Sequence, residues 1–205
     1  MFSNELTGVL AALEALKDVQ RAGWLRAGIK APESTAAHSW GTALLALILC
    51  PDGIDRSRAV QIALVHDLAE ISVGDITPHD NVSTAEKHAA EAAAFRELTC
   101  GLPRRELLME LFEEYSRAET AEAKLVHNLD KLDMALQAVR YEQSRAENLH
   151  LREFADSALE YAEKHPMPPA LSSAEGAANY ETFLMQVLKD CREHTSLKSG
   201  THECS

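Results

Sequence analysis

Nowhere does the sequence carry an apolar run long enough to cross a bilayer; its longest hydrophobic stretches are interrupted well short of that length. The opening Met1-Phe-Ser-Asn-Glu lacks the basic start and apolar run of a secretion signal, so the expectation is a cytoplasmic protein. Cysteine is sparse, and Cys50, Cys100, Cys191 and Cys204 show no paired spacing. That excludes a zinc knuckle or a disulfide framework and leaves reduced thiols. Positive charge is also short: 20 Lys and Arg stand against 32 Asp and Glu, a formal net charge of −12. Such a surface repels polyanions, which argues against nucleic acid or an anionic membrane as partner. A small phosphate ester is still compatible if local cations receive it, and Arg21, Arg26, Lys30, Lys87 and Lys131 are the candidates. No strand alternation or internal repeat stands out, so the fold class is all-α.

What the sequence does contain is helical periodicity throughout its 205 residues, with 46% hydrophobic and 25% charged residues, ordinary values for one globular domain. Leu6, Val9, Leu10, Leu13 and Leu16 predict a first helix over about 4–19. Residues 20–36, with Gly23, Gly28 and Pro32, read as an irregular loop ending at Thr35 as a helix cap. A second, nearly all-apolar helix runs from about 37 to 49, and Asp55 caps a third. Ser83-Thr-Ala-Glu86 is a capping box opening a helix to about 99. Further helices are expected over 104–117, over 120–145 with Thr120 as cap, over 149–164, and after a second capping box at Ser172-Ser-Ala-Glu175. The polar tail 195–205 is expected to be mobile.

The chemistry centres on Ile62-Ala-Leu-Val-His66-Asp67-Leu-Ala-Glu70-Ile-Ser-Val-Gly74-Asp75-Ile-Thr-Pro78, where ionisable groups interrupt a run that otherwise reads as a buried helix. An unpaired charge there costs several kcal/mol, and a metal ion is the simplest partner for both His66 and Asp67. On helical geometry Glu70, four residues past His66, projects to the same side; the helix should end near Gly74, with Asp75 in the loop beyond. Two further ligand types sit on separate apolar helices. His38 opens the segment to Leu49, and Asp130 falls amid helix-periodic leucines, although a mid-helix Asp is disfavoured by propensity. Together they make a mixed nitrogen and oxygen set suited to a divalent transition metal. Asp133 and Lys131 read most simply as a solvent-facing or supporting pair, and Glu114 is the carboxylate of its acidic cluster singled out as able to approach the site.

The order His38, His66-Asp67, Asp130 resembles the HD-domain superfamily of metal-dependent phosphohydrolases. Gly23-Trp24, Pro32-Glu33-Ser34, Ala63-Leu-Val-His-Asp-Leu-Ala-Glu70, Val73-Gly-Asp-Ile-Thr-Pro78 and Ala121-Glu-Ala-Lys124 are similar to the branch that hydrolyses deoxyribonucleoside 5′-monophosphates. The resemblance spans about residues 6–165. It implies a single HD domain over 1–194, a bundle of about seven to eight helices around a metal site. It further implies His38, His66, Asp67 and Asp130 as ligands of Mn, Co, Fe, Ni or Zn, with open positions for water and a phosphoryl oxygen, so that metal-activated water attacks phosphorus. Glu70 then handles the water's proton and Asp75 protonates the leaving oxygen or binds the sugar. By the same resemblance Trp24 and the segment Asp75, Ile76, Thr77 and Pro78 line the nucleotide pocket. Glu70, Asp75 and the Ile76 carbonyl hold a second ion such as Mg in some relatives, and a homodimer is expected.

One departure from the pattern matters. Bacterial members place an Arg directly before the Trp to orient phosphate, whereas this chain has Gly23 there, with Arg21 two positions before it. Unless Arg21 or Arg26 takes over, the substrate is another phosphate ester or a specialised metabolite. A non-catalytic nucleotide-binding protein is the third reading. A dinuclear iron oxygenase recruiting His79, His88 or His127 is a fourth.

Overall fold

A computed structural model of the protein describes residues 4–144, 151–166 and 174–195. The first helix is shorter than its periodicity suggests: α1 spans Asn4–Leu13, and a 3₁₀ turn with buried Leu16 follows over Glu14–Lys17. The loop after it is not wholly irregular. A short helix α2 occupies Ala22–Arg26, and an antiparallel bridge between Gln20 and Ser34 closes the base of the segment.

Next comes α3, Thr35–Leu49, capped one residue earlier than expected because the Ser34 hydroxyl, not Thr35, accepts the Ala37 N–H at 3.2 Å. Thr35 is fully buried and its hydroxyl is used elsewhere. Asp55 does cap α4, Arg56–Val65, by accepting the Arg58 N–H at 3.0 Å.

Here the structure departs from the continuous helix that the apolar run implies. α4 ends at Val65, and α5 is a separate turn, Glu70–Val73. Between them the amides of Leu68, Glu70, Ile71 and Ser72 bond three residues back rather than four, at 3.0–3.3 Å. This tighter winding changes the angular step per residue, so Glu70 no longer sits over His66. Gly74, at φ 73°, ends α5 in a conformation closed to most L side chains and turns the chain out to Asp75.

After a 3₁₀ turn at Pro78–Asp80 come α6 (Thr84–Leu98), opened by the Ser83–Glu86 capping box, and α7 (Arg105–Arg117). α8, Ala121–Ser144, begins where Thr120 accepts the Ala123 N–H at 3.1 Å. α9 (Arg152–Lys164) and α10 (Ala174–His194) complete the described helices. Residues 149–150, Ser172 and Ser173 of the second capping box, and the tail from 196 onward lie outside the described residues. Thr195, expected as the first residue of a mobile tail, is buried and bonded through its N–H to the Cys191 carbonyl at 3.0 Å.

α3, α4 and α8 pack on one another, α7 lies against α4 and α8, and α9 and α10 cover α8. Ile62, Leu125, Leu129 and Leu132 are fully buried between them, each contributing about 1.5–3 kcal/mol of apolar transfer. A smaller second core gathers Trp24, Ile29, Tyr141 and Leu151 and ties the α2 loop to the far end of α8. Among the described residues no helix is long and apolar enough to cross a membrane.

Candidate metal centre

α3, the α4–α5 turn and α8 deliver four side chains to one place. His38 Nε2 lies 2.9 Å from Asp130 Oδ1 and 3.8 Å from Asp67 Oδ2, and His66 Nε2 lies 3.1 Å from the same Asp67 oxygen. Ligand atoms of His38, His66 and Asp67 all fall within 4.8 Å of one another. Both imidazoles are oriented from behind. His38 Nδ1 is 2.8 Å from Asp133 Oδ2, and His66 Nδ1 is 2.8 Å from the Ala63 carbonyl. A carboxylate or carbonyl oxygen only accepts, so each Nδ1 carries a proton, and each ring in its neutral form presents the Nε2 lone pair to the cluster.

The donor set fits a cation. His38 Nε2, His66 Nε2 and Asp67 Oδ2 are buried and lack a hydrogen-bond partner despite their closeness. Leaving such groups unsatisfied costs about 1–3 kcal/mol apiece, and one divalent ion would satisfy all three; Asp130 touches this trio through His38 Nε2 and stands outside the set of mutually close ligand atoms. Two imidazole nitrogens and two carboxylates form the mixed set of a first-row divalent metal.

The electrostatics point the same way. Burial and the Arg21 charge oppose protonation of His38, yet Asp130 and Asp133 outweigh them and push it up to about 10. Burial also opposes ionising Asp67, but His66, Arg21 and His38 hold its carboxyl well below the usual range. Asp130 is likewise lowered: against burial stand Lys131, whose ammonium is 2.8 Å from Oδ2, and His38. Glu70 goes in the opposite direction. Burial, then the Asp67 and Asp75 charges, raise its carboxyl to about 9 while its Oε2 accepts the buried Thr35 hydroxyl at 2.9 Å. It stands beside the cluster rather than among the mutually close ligand atoms, a consequence of the tightened turn.

Arg21 is the guanidinium that reaches the site, 3.7 Å from Asp67 and 3.5 Å from Asp75. Burial works against its charge, and Asp75, Asp67, Asp130 and Glu70 more than offset this and raise its pKa. Asp75 Oδ2 also accepts the Ala22 N–H at 2.7 Å, pinning the α2 loop over the cluster. Gly23 faces elsewhere: an added Cβ would meet the Phe154 ring at 3.4 Å.

Several expected residues have other partners. Trp24 is 2% exposed, tilted against Phe154 and edge-on to Tyr141, with its indole N–H donated to Glu33 at 3.0 Å. It is a core side chain with almost no surface to offer a base. Arg26 donates to Thr77 Oγ1 at 2.6 Å and pairs with Asp80 at 2.9 Å, a strap on the outside of the loop. The Ile76 carbonyl accepts Lys87 Nζ at 2.8 Å. Glu70, Asp75 and Ile76, the expected second-ion set, are thus each committed to a protein donor. The Pro78 side chain lies outside the described set, and Lys30 is exposed. Glu114 binds Arg58 at 2.7 Å and Thr120 at 2.7 Å and does not join the site. His79 and His88 are exposed, while His127 stacks on Tyr115 with Nε2 bound to its carbonyl at 2.9 Å, so no second imidazole cluster forms among the described residues.

Sequence reasoning assigned Thr35 only a capping role, Asp133 the reading of a solvent-facing or supporting acid, and Lys131 a place among five cations open to a phosphate. Two signals were available: Asp133 is one helical turn past Asp130, and a glycine, Gly41, sits inside α3 one turn past His38.

A human protein named 5′-deoxynucleotidase HDDC2 is 40% identical over 157 residues, covering 76% of this chain and 77% of its own. A fission-yeast (Schizosaccharomyces pombe) protein named 5′-deoxynucleotidase hdd1 is 42% identical over 147 residues, 69% of this chain and 74% of its own. A conserved hypothetical protein from Pyrococcus furiosus superposes with a TM-score of 0.69 at 34% identity, covering 91% of this chain and 99% of the other. The model of the HD-domain family matches residues 13–168, and this chain belongs to that family.

Proposed function

We propose that the chain is a metal-dependent phosphohydrolase that releases inorganic phosphate from deoxyribonucleoside 5′-monophosphates. The observation that carries this reading is the trio of buried, unpartnered ligand atoms on His38, His66 and Asp67, in a chain whose relatives bear the name 5′-deoxynucleotidase. His38, His66, Asp67 and Asp130 hold the ion, with Mn, Co, Fe, Ni and Zn all compatible with two nitrogens and two carboxylates. When bound, such an ion lowers the pKa of water and neutralises phosphoryl charge.

The chain's own groups do the rest. Arg21, between Asp67 and Asp75, turns its guanidinium to the phosphoryl oxygens, a planar donor suited to that geometry. It takes the part of the Arg that Gly23 displaces, which favours the nucleotide reading over a different phosphate ester. Glu70, beside the cluster and raised by burial and the Asp67 and Asp75 charges, orients the attacking water and takes up its proton. Thr35 fixes the position of that carboxyl. Asp75, tied to Ala22 and Arg21, sets the loop that closes on the substrate and accepts a sugar hydroxyl.

In this reading residues 1–194 form one HD domain that acts in the cytoplasm as a homodimer. α3 carries no Asp, Glu, Lys or Arg, and Trp40, Leu47 and Ile48 are exposed on it at 64, 55 and 64%. A face without charge is where two copies of a chain of net charge −12 meet with the least local repulsion.

Phosphate release from ribo- and deoxynucleoside monophosphates with manganese, cobalt or magnesium tests the activity. Release from the deoxy series, abolished by Asp67→Ala, is expected. No release from any nucleotide rejects the substrate class, and activity that survives Asp67→Ala rejects the metal chemistry.

A further inference from the structure

Gly41 is the wrong residue for the middle of a helix, where only proline is less favourable. Its conformation does not demand it, because it lies within α3 and is absent from the positive-φ glycines. Space does. A Cβ at Gly41 would lie 2.1 Å from Asp133 Oδ1 and 2.9 Å from its Cγ. Asp133 could swing away from an added methyl, but only by releasing His38 Nδ1, which its other oxygen holds at 2.8 Å.

The two imidazoles of the cluster are therefore held differently. His66 is oriented by the Ala63 backbone carbonyl, which no substitution removes. His38 relies on a replaceable carboxylate. Glu33 is the second carboxylate near that edge of the ring, and it is already engaged by the Trp24 indole N–H.

We propose that Asp133 and Gly41 act as one positioning device for His38: the carboxylate fixes the ring's tautomer and rotation and increases its basicity as a ligand, and the missing Cβ makes room for the carboxylate. The inference rests on His38 being a metal ligand. A carboxylate behind a ligating histidine typically changes metal affinity about 10–100-fold, and the same range is expected here. Asp133 touches neither substrate nor ion in this scheme; it acts through His38.

Cobalt(II) titration of the full-length protein, followed by its visible absorption and by competition with a chelator, tests this. Asp133→Asn and Gly41→Ala should each weaken cobalt binding by about 10-fold or more. The melting temperature of the chelator-treated protein should hold steady in Asp133→Asn and rise slightly in Gly41→Ala, since Ala is the better helix former. Gly41→Ala added to Asp133→Ala should cause no further loss, because the carboxylate it displaces is gone. His38→Ala is the reference. If it abolishes tight cobalt binding while Gly41→Ala and Asp133→Asn bind like the parent, the device is wrong and the metal site stands. If His38→Ala itself binds cobalt like the parent, both fall.

Discussion

At the scale of single residues, Trp24 shows how the same side chain reads differently as a motif and as an object in space. The motif places it in the nucleotide pocket; the structure places it at 2% exposure in the second core, against Tyr141 and Phe154. Trp24→Ala should therefore destabilise the protein by about 3–5 kcal/mol, as large aromatic truncations in cores do. Trp24→Phe, which keeps most of the packing, should lower the urea midpoint only modestly and leave KM for the nucleotide unchanged. A large rise in KM with an unaltered midpoint would put the ring against the ligand after all. The four proposed ligands, His38, His66, Asp67 and Asp130, stood out because an ionisable group on an apolar helix needs a partner, and the structure brings His38 within 3.8 Å of Asp67 and 2.9 Å of Asp130. Asp133 was not legible as a single residue, since an acid beside Lys131 on a helix is unremarkable until the position of α3 is known.

Among the elements, caps were the features most readable from sequence, being local chemistry: Asp55, Ser83 with Glu86, and Thr120 all cap where expected. The break between α4 and α5 was not readable. Periodicity describes a helix in isolation, and nothing local forbids one through Leu68 and Ala69; in the tightened turn His66 and Asp67 face His38 on α3, a contact that no local pattern encodes. The first capping box yields a prediction with a definite sign. The Ser83 side chain and backbone N–H both bond Glu86, at 2.6 and 3.0 Å, and hold its carboxyl below the ordinary glutamate value. A lowered folded-state pKa contributes stability that is complete above the unfolded-state value and is lost as pH falls through the folded one. Ser83→Ala should cost about 0.5–2 kcal/mol at neutral pH. Urea midpoints measured from neutral to acid pH should show the gap between parent and variant narrowing as Glu86 takes up its proton, and a gap that widens toward acid would contradict the cap.

The whole molecule presents an imbalance: a strongly acidic chain with one helix face devoid of charge. Net charge bears on solubility and steering, not on fold, so composition alone said little about where partners meet. The bare face became visible only with α3 in place, because Trp40, Leu47 and Ile48 are continuous with an apolar run that reads as core on every side. Leu47→Asp, or Trp40→Asp, should convert a dimer into a monomer in light scattering at micromolar concentration while phosphate release per subunit persists. A parent protein that is monomeric at those concentrations would remove this role for α3. The all-helical class and the helix order were recoverable from spacing; the second core was not, because it joins the α2 loop to α8 and to Leu151, segments far apart along the chain.

That His38, His66 and Asp67 all precede α6, whereas Asp130 and the carboxylate that steadies His38 lie on α8, has a consequence for biosynthesis. A nascent chain emerging from the ribosome exposes three of the four proposed ligands before the last exists, and a cation captured then would be loosely held and readily exchanged. On the proposed ligand set, selection of the ion would wait until α8 has been translated and docked, and the finished centre would reflect the metals available to the completed fold.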